Sequence, residues 1–338
     1  MKLPPPIDSA IGKSLNFIDV MKFLMAFCVV CIHIGTLYQY SYSKVVLFTI
    51  HSAVPFFFVT SGFFLWEKFR TSNFASSILI DYTKKVLIMY TFWIVVYLPL
   101  SIGIIIHGPD QLALLKRVIL VGEIPFSWPL WYLHALVVSV FIIWCFVKWR
   151  AHLSVIWLIG LGLMALGFAI NKADVNLLSP PLQAAIEWYN DVFMTTRNGI
   201  FLGLGYVTTG MMISKYQTYI KSKVYSMLLG VVLLAVAIMC FIIDVNYWTL
   251  LSGTAIFIVC KNISLPPAPI YHTLRSLSAI IYVSHMLILA VLIKLLPKND
   301  GFVLFATIGF IMSLAAAIVI YCISKHKRMK WFRRFING

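Results

Sequence analysis

The chain has 338 residues, 61% hydrophobic and only 11% charged, which leaves too little polar side chain to cover a soluble globule of this size. Its apolar residues come in continuous runs of about 20, enough to cross a hydrocarbon core, without the alternation that a β-barrel strand needs. The formal net charge of +16 is unevenly spread along the chain, which points to membrane topology and away from nucleic acid.

Ten spans are expected, near residues 17–40, 44–66, 84–106, 128–148, 153–171, 195–214, 224–243, 247–263, 275–296 and 302–324. They make one all-α polytopic membrane domain over residues 1–338, with no appended soluble domain. The first span is too long and too charged inside to be a cleavable signal peptide, and no small-residue cleavage site follows it. With the N-terminus in the cytoplasm, that side holds Lys2, Lys13, Lys68, Arg70, Lys84, Lys85, Lys148, Arg150, Lys215, Lys221, Lys223, Lys261, Arg275 and the basic residues of 325–334. These are nineteen basic residues against four acids, Asp8, Asp19, Glu67 and Asp81; the opposite side holds seven of each. An even number of spans with both termini cytoplasmic satisfies the preference for basic residues inside. Most of the excess reads as topology and contact with anionic membrane lipids, and part of it suits a polyanionic cytoplasmic ligand.

Asp19, Lys22 and His33 interrupt the apolar run of the first span. A charge kept in a bilayer normally faces a cavity or a partner. At about 100° per residue, His33 returns to within roughly 20° of the face of Lys22, and Asp19 lies about 60° from Lys22. The three share one sector, with His33 roughly 16 Å along the axis from Lys22. An imidazole titrates near neutrality and suits a general base for a hydroxyl. Lys22, near the cytoplasmic end, suits a phosphate- or thioester-bearing donor, with Asp19 orienting or neutralising it. The simpler alternative is a snorkelling lysine and a hydrogen-bonded histidine between helices. Three ionisable groups on one face favour function.

In the second span, Pro55 removes a helical hydrogen bond and displaces the carbonyl of His51, which suggests a polar spot at the level of that imidazole. Ser61-Gly62, near the inner end, admits close approach of a ligand or of another backbone; helix packing is the simpler reading, and Ser61 has no adjacent base. All six cysteines fall in expected spans, and Cys28-x-x-Cys31 reads as two small packable side chains rather than a redox or metal site. No metal site is apparent. The longest connections, about 107–127 and 172–194, fall outside; the second holds Asp174, Glu187, Trp188, Tyr189 and Asp191, which suit sugar recognition or an interfacial belt. No internal repeat of the transporter kind is visible. The tail 325–334, with Trp331 and Phe332, reads as a short amphipathic anchor on the cytoplasmic leaflet.

Ile18-Asp19-x-x-Lys22, with ten residues between Lys22 and His33, resembles the basic-x10-His signature of acyltransferase family 3, a family of membrane proteins. Pro55-Phe56-Phe57-Phe58-Val59-Thr60-Ser61-Gly62-Phe63 is similar to the family's second-span motif, and Trp128-Pro129-Leu130-Trp131-Tyr132-Leu133 to its middle segment. Arg197-Asn198-Gly199 resembles its Arg-led sixth span, and Tyr282-Val283-Ser284-His285 its late Tyr–x–x–His element. The resemblance runs through nearly the whole chain in the expected order. It implies transfer of an acyl group, commonly acetyl, from cytoplasmic acyl-CoA to a hydroxyl of an envelope glycan or lipid-linked sugar, in a bacterial plasma membrane. His33 would then be the catalytic base supported by Asp19. Lys22, Ser61 and Arg197 would meet acetyl-CoA or another acyl-CoA, with no permanently bound cofactor. His51, Trp131, Tyr282 and His285 would meet the acceptor or support the site. Lys22 stands where the family usually has Arg, keeping the charge without the bidentate fork. Arg197 reads equally as an interfacial anchor or as reaching inward. His285 reads as a satisfied core histidine or a second base, and His134 as structural. The alternative class is a carrier or flippase for a lipid-linked glycan, with the polar residues lining a transport path; it would need no CoA thioester. A catalytically silent sensor or assembly factor is a third reading.

Overall fold

The computed structural model describes residues 15–336 except 109, 175–176, 218, 221 and 297–300. Lys2, Asp8, Lys13 and Lys221 of the topology argument lie outside the described residues. The described residues form helices and connections with no strand. Eight helical stretches are long and apolar enough to cross a membrane. In chain order they are α1 (Asn16–Tyr38), α2–α3 (Lys44–His51 and Ala53–Thr71), α4 (Ser77–His107), a short 3-10 turn (Trp128–Leu130) running into α6 (Trp131–Lys148), α7 (Leu153–Lys172), α10 (Lys223–Ile242), α12 (Ile270–Leu295) and α13 (Phe302–Lys325). The sixth and eighth expected spans are shorter segments, a π-helical turn (Gly199–Gly203) leading into α9 (Leu204–Tyr216), and α11 (Trp248–Lys261). The two long connections are themselves folded, as α5 (Gln111–Lys116) and α8 (Pro180–Phe193).

The second span breaks where its proline predicts. Its helix is interrupted at Ser52, whose hydroxyl donates to the Phe48 carbonyl and is 2.8 Å from that of Ser252 on α11. Pro55 has no N–H for the fourth residue back, so the break falls one residue beyond the carbonyl of His51. Ser252 then fixes the bend to a neighbouring helix.

α3 lies at the centre of the bundle because small residues let its neighbours approach its backbone. A Cβ on Gly62 of α3 would collide with the Val207 carbonyl of α9, and one on Gly210 of α9 would collide with the Val59 carbonyl of α3. On the other side, a Cβ on Gly253 of α11 would stand 2.7 Å from the backbone nitrogen of Phe56. Such contacts are how helices associate where lipid removes the hydrophobic drive between them. Phe56, Phe58 and Phe63 are fully buried between these helices. α12 packs along α1 and is mostly buried, whereas α10 and α13 are mostly exposed and form the flanks.

The tail folds onto the bundle. Residues Lys327–Phe335 form a 3-10 helix that folds back on α4, where Phe335 stacks on Phe92 with centroids 4.4 Å apart. The Trp93 indole donates to the Phe335 carbonyl at 2.8 Å, and Ile336 is completely buried. Trp331 stays exposed.

The reciprocal glycine contact makes a direct prediction. Gly210→Ala overpacks the α3–α9 seam, at a cost of about 1–3 kcal/mol. It is expected to lower the thermal midpoint in detergent by several degrees, read by size exclusion after heating. An unchanged midpoint would mean that α3 and α9 separate freely.

Candidate active site

α1 and α12 run side by side, and the polar residues of α1 meet their partners there. Asp19, 2% exposed, accepts two hydrogen bonds from Arg275, Nε to Oδ1 at 2.8 Å and Nη2 to Oδ2 at 2.5 Å. This is the bidentate fork that suits guanidinium and carboxylate. Lys22 Nζ is 3.8 Å from Asp19 Oδ1 and lies 5.0 Å over the Phe64 ring. One carboxylate thus sits between two cations at this end of the bundle. A cavity of about 320 Å³ opens beside them, lined among others by Lys22, Arg275, His272, Ser61, Tyr82 and Tyr132. The Ser61 hydroxyl is hydrogen-bonded to that of Tyr132 at 3.0 Å.

His33 stands about 21 Å further along α1 than Asp19 by helix rise, so Asp19 does not touch it. Its surroundings belong to a second cavity, of about 260 Å³, lined by His33, His51, Pro55, Trp131, Arg197 and Trp248 among others. The Nδ1 of His33 is buried with no hydrogen-bond partner among the described residues. The His285 ring lies 5.3 Å away, centroid to centroid. His285 Nδ1 is 2.8 Å from the Ile281 carbonyl, which only accepts, so Nδ1 carries the proton and Nε2 keeps its lone pair. That Nε2 is likewise buried and without a partner among the described residues. Two imidazoles with unused nitrogens therefore face each other at one level, with the Trp128 ring 6.1 Å from His33.

Arg197 borders the His33 cavity, apart from Lys22 and Ser61 with which it was grouped. The residue after it explains its position. Asn198 accepts from the backbone nitrogens of Ile200 and Phe201 and so caps the π-helical turn. Gly199 packs against the Ala135 carbonyl of α6, leaving no space for a Cβ. Arg197, just outside the cap, lies with its guanidinium 5.0 Å over the Trp131 ring and Nη2 3.4 Å from Glu123. With its side chain 47% exposed, it stands at the edge of the cavity, a position compatible with both of its readings. Glu123 is 6% exposed and also lies 3.9 Å from Arg117. Burial pushes its carboxyl above the ordinary range, with the two guanidiniums pulling it back.

Sequence reasoning thus missed Arg275, counted only as a topology residue, and Glu123. The signal for Arg275 was an arginine at the same depth as Asp19; Glu123 gave only a lone acid in an apolar connection. His134 packs beside Tyr90 and against Gly122, away from both cavities.

The basic-x10-His pair, the Pro55 motif and the late histidine converge on these adjoining cavities. A family model described as an acyltransferase domain matches residues 15–322, nearly the whole chain. The chain belongs to acyltransferase family 3. The acyltransferase description of that family model and the eight long apolar helices favour a membrane acyltransferase over the carrier alternative. The chain is also 30% identical to an amino-acid racemase of Enterococcus faecalis over 230 residues, 63% of this chain and 30% of the relative. To a serine/alanine racemase of Enterococcus gallinarum it is 25% identical over 210 residues, 60% of this chain and 29% of the relative. The chain spans less than a third of the length of these curated relatives. No solved structure matches this member of the family.

The geometry ranks the partners of Asp19. Because the Arg275 side chain is 57% exposed, its coupling to Asp19 is expected at about 1–2 kcal/mol, below the roughly 3–5 kcal/mol of a fully buried pair. The coupling of Asp19 to Lys22 should be smaller, as its single 3.8 Å contact implies. Double-mutant cycles of thermal unfolding with Asp19→Asn, Arg275→Gln and Lys22→Met measure both; equal couplings would contradict the ranking.

Proposed function

We propose that the protein moves an acyl group, acetyl in the simplest case, from cytoplasmic acyl-CoA to a hydroxyl of an envelope glycan or lipid-linked sugar in a bacterial plasma membrane. The observation that carries this reading is the division of labour between two adjoining cavities. Two cations border one of them, and an imidazole with an unpartnered nitrogen borders the other. Lys22 and Arg275 suit the phosphates of a CoA donor. Asp19 touches neither reactant in this scheme and acts as a positioning residue that holds the two cations together.

His33 takes the proton of the acceptor hydroxyl while that oxygen forms a bond to the thioester carbonyl carbon. The carbon–sulfur bond then breaks, and the leaving thiolate recovers the proton from the imidazolium to give free CoA. The products are the ester and the thiol, with no net proton change. An acyl-histidine route is equally balanced: the His33 nitrogen attacks the carbonyl first, and the hydroxyl displaces it in a second step. Arg197, held by Glu123 and Trp131, adds positive charge at the cavity where the carbonyl oxygen becomes negative. Racemisation, which the names of the two relatives describe, is not carried over, because the match covers under a third of each.

The test is acyl content of envelope glycans by mass spectrometry, beside transfer rates of the purified protein. His33→Ala is expected to reduce transfer at least about 10²–10⁴-fold, the range for a general base. Lys22→Ala should raise the KM for acyl-CoA about 10-fold or more with a smaller change in kcat, as loss of a charged hydrogen bond implies. Unaltered acylation in both variants, at unaltered expression, would overturn the assignment.

A further inference from the structure

The two cavities share a single lining residue among those described, Tyr282 of α12. It is 5% exposed and stands across the boundary. Its ring forms an aromatic triangle with Phe57 and Tyr132, centroids 5.9 and 5.4 Å from it and 6.3 Å from each other. Phe57 and Tyr132 belong to the Lys22 cavity. The Tyr282 hydroxyl donates to the carbonyl of Pro129, a residue of the His33 cavity. Pro129 lies in the 3-10 turn that opens α6, so the tyrosine is pinned at both ends, by rings on one side and by a carbonyl on the other. Tyr132 is held in turn by Ser61.

We propose that Tyr282 is the residue that selects the acyl chain, admitting short acyl groups and rejecting long ones. The inference rests on the acyl-CoA reading above and names the part of the donor that reading leaves open. A thioester that enters beside Lys22 and reacts at His33 has its carbonyl at this wall. The acyl tail must then either pass the Tyr282 ring or share the His33 cavity of about 260 Å³ with the acceptor. The pantetheine arm, already lying in the Lys22 cavity, occupies the other direction. Both routes for the tail lengthen with every methylene, and a rigid aromatic wall does not yield to them. Each methylene that such a site rejects is worth roughly 10-fold or more in kcat/KM. The hydrogen bond to Pro129 holds the ring across the boundary between the two cavities.

The test uses the full-length protein in detergent or nanodiscs with acetyl-, propionyl-, butyryl- and octanoyl-CoA. The wild type is expected to use octanoyl-CoA at least about 100-fold less well than acetyl-CoA. Tyr282→Ala should flatten the profile, raising the octanoyl-to-acetyl ratio about 10-fold or more. Without acceptor it should also hydrolyse acetyl-CoA faster, water taking the place of the hydroxyl to give acetate and free CoA. Tyr282→Phe keeps the ring, loses the bond to Pro129, and should retain the preference for short chains. If Tyr282→Ala does not fold, Phe57→Ala opens the same wall from α3 and carries the same expectation. An unchanged chain-length ratio in a folded variant, or a wild type that uses octanoyl-CoA as well as acetyl-CoA, would overturn the role of Tyr282. A wild type that transfers no acyl group from any of the four thioesters would overturn the acyl-CoA reading instead.

Discussion

The fork between the buried Asp19 and the half-exposed Arg275 sets the relation of α1 to α12, and the site depends on that relation. Both helices run the same way. From the fork, His33 lies about 21 Å along α1 and His285 about 15 Å along α12. The length of an arginine side chain accommodates the difference, and the two imidazoles come level. A carboxylate in a bilayer without its counter-charge is costly, so the register that satisfies Asp19 is strongly preferred over its neighbours. That same register carries Tyr282 to the wall between the cavities. One ion pair at one end of the bundle thus aligns two imidazoles that lie several helical turns away.

The glycine seams complement this electrostatic constraint. They bring α9 and α11 against α3 closely enough that the backbone, and not long side chains, determines the spacing. The result is a close-packed layer of α3, α9 and α11 beside the α1–α12 pair, with α10 and α13 as the less buried flanks. Cavities within such a layer keep their shape, as positioning of two substrates requires. Arg197 is fixed by local means instead, through the Asn198 cap and the Glu123 carboxylate.

Much of this was legible in the sequence, and what was not has physical reasons. The apolar runs located the eight long helices because a bilayer demands such lengths, and helical periodicity placed Asp19, Lys22 and His33 in one sector. The partner of Asp19 was hidden because it lies 256 residues away and periodicity speaks only of one helix. Glu123 was hidden likewise, since its meaning comes from Arg197, which reaches it across a folded connection. The break at Ser52 follows from Pro55, but its link to Ser252 on another helix does not show in the sequence. Phe332 suggested a membrane anchor, but in the fold it packs near Phe92 and Phe335 beneath α4. Apolar surface is recognisable in a sequence; whether lipid or protein covers it is not.

The brevity of α11 has its own consequence. Its 14 residues make a rod of about 21 Å, well short of a hydrocarbon core of ~30 Å. It packs against α10 and α3, and its first two residues, Trp248 and Thr249, line the cavity of His33. The start of a short helix therefore forms part of the wall beside the histidine, where a full-length span would present its middle.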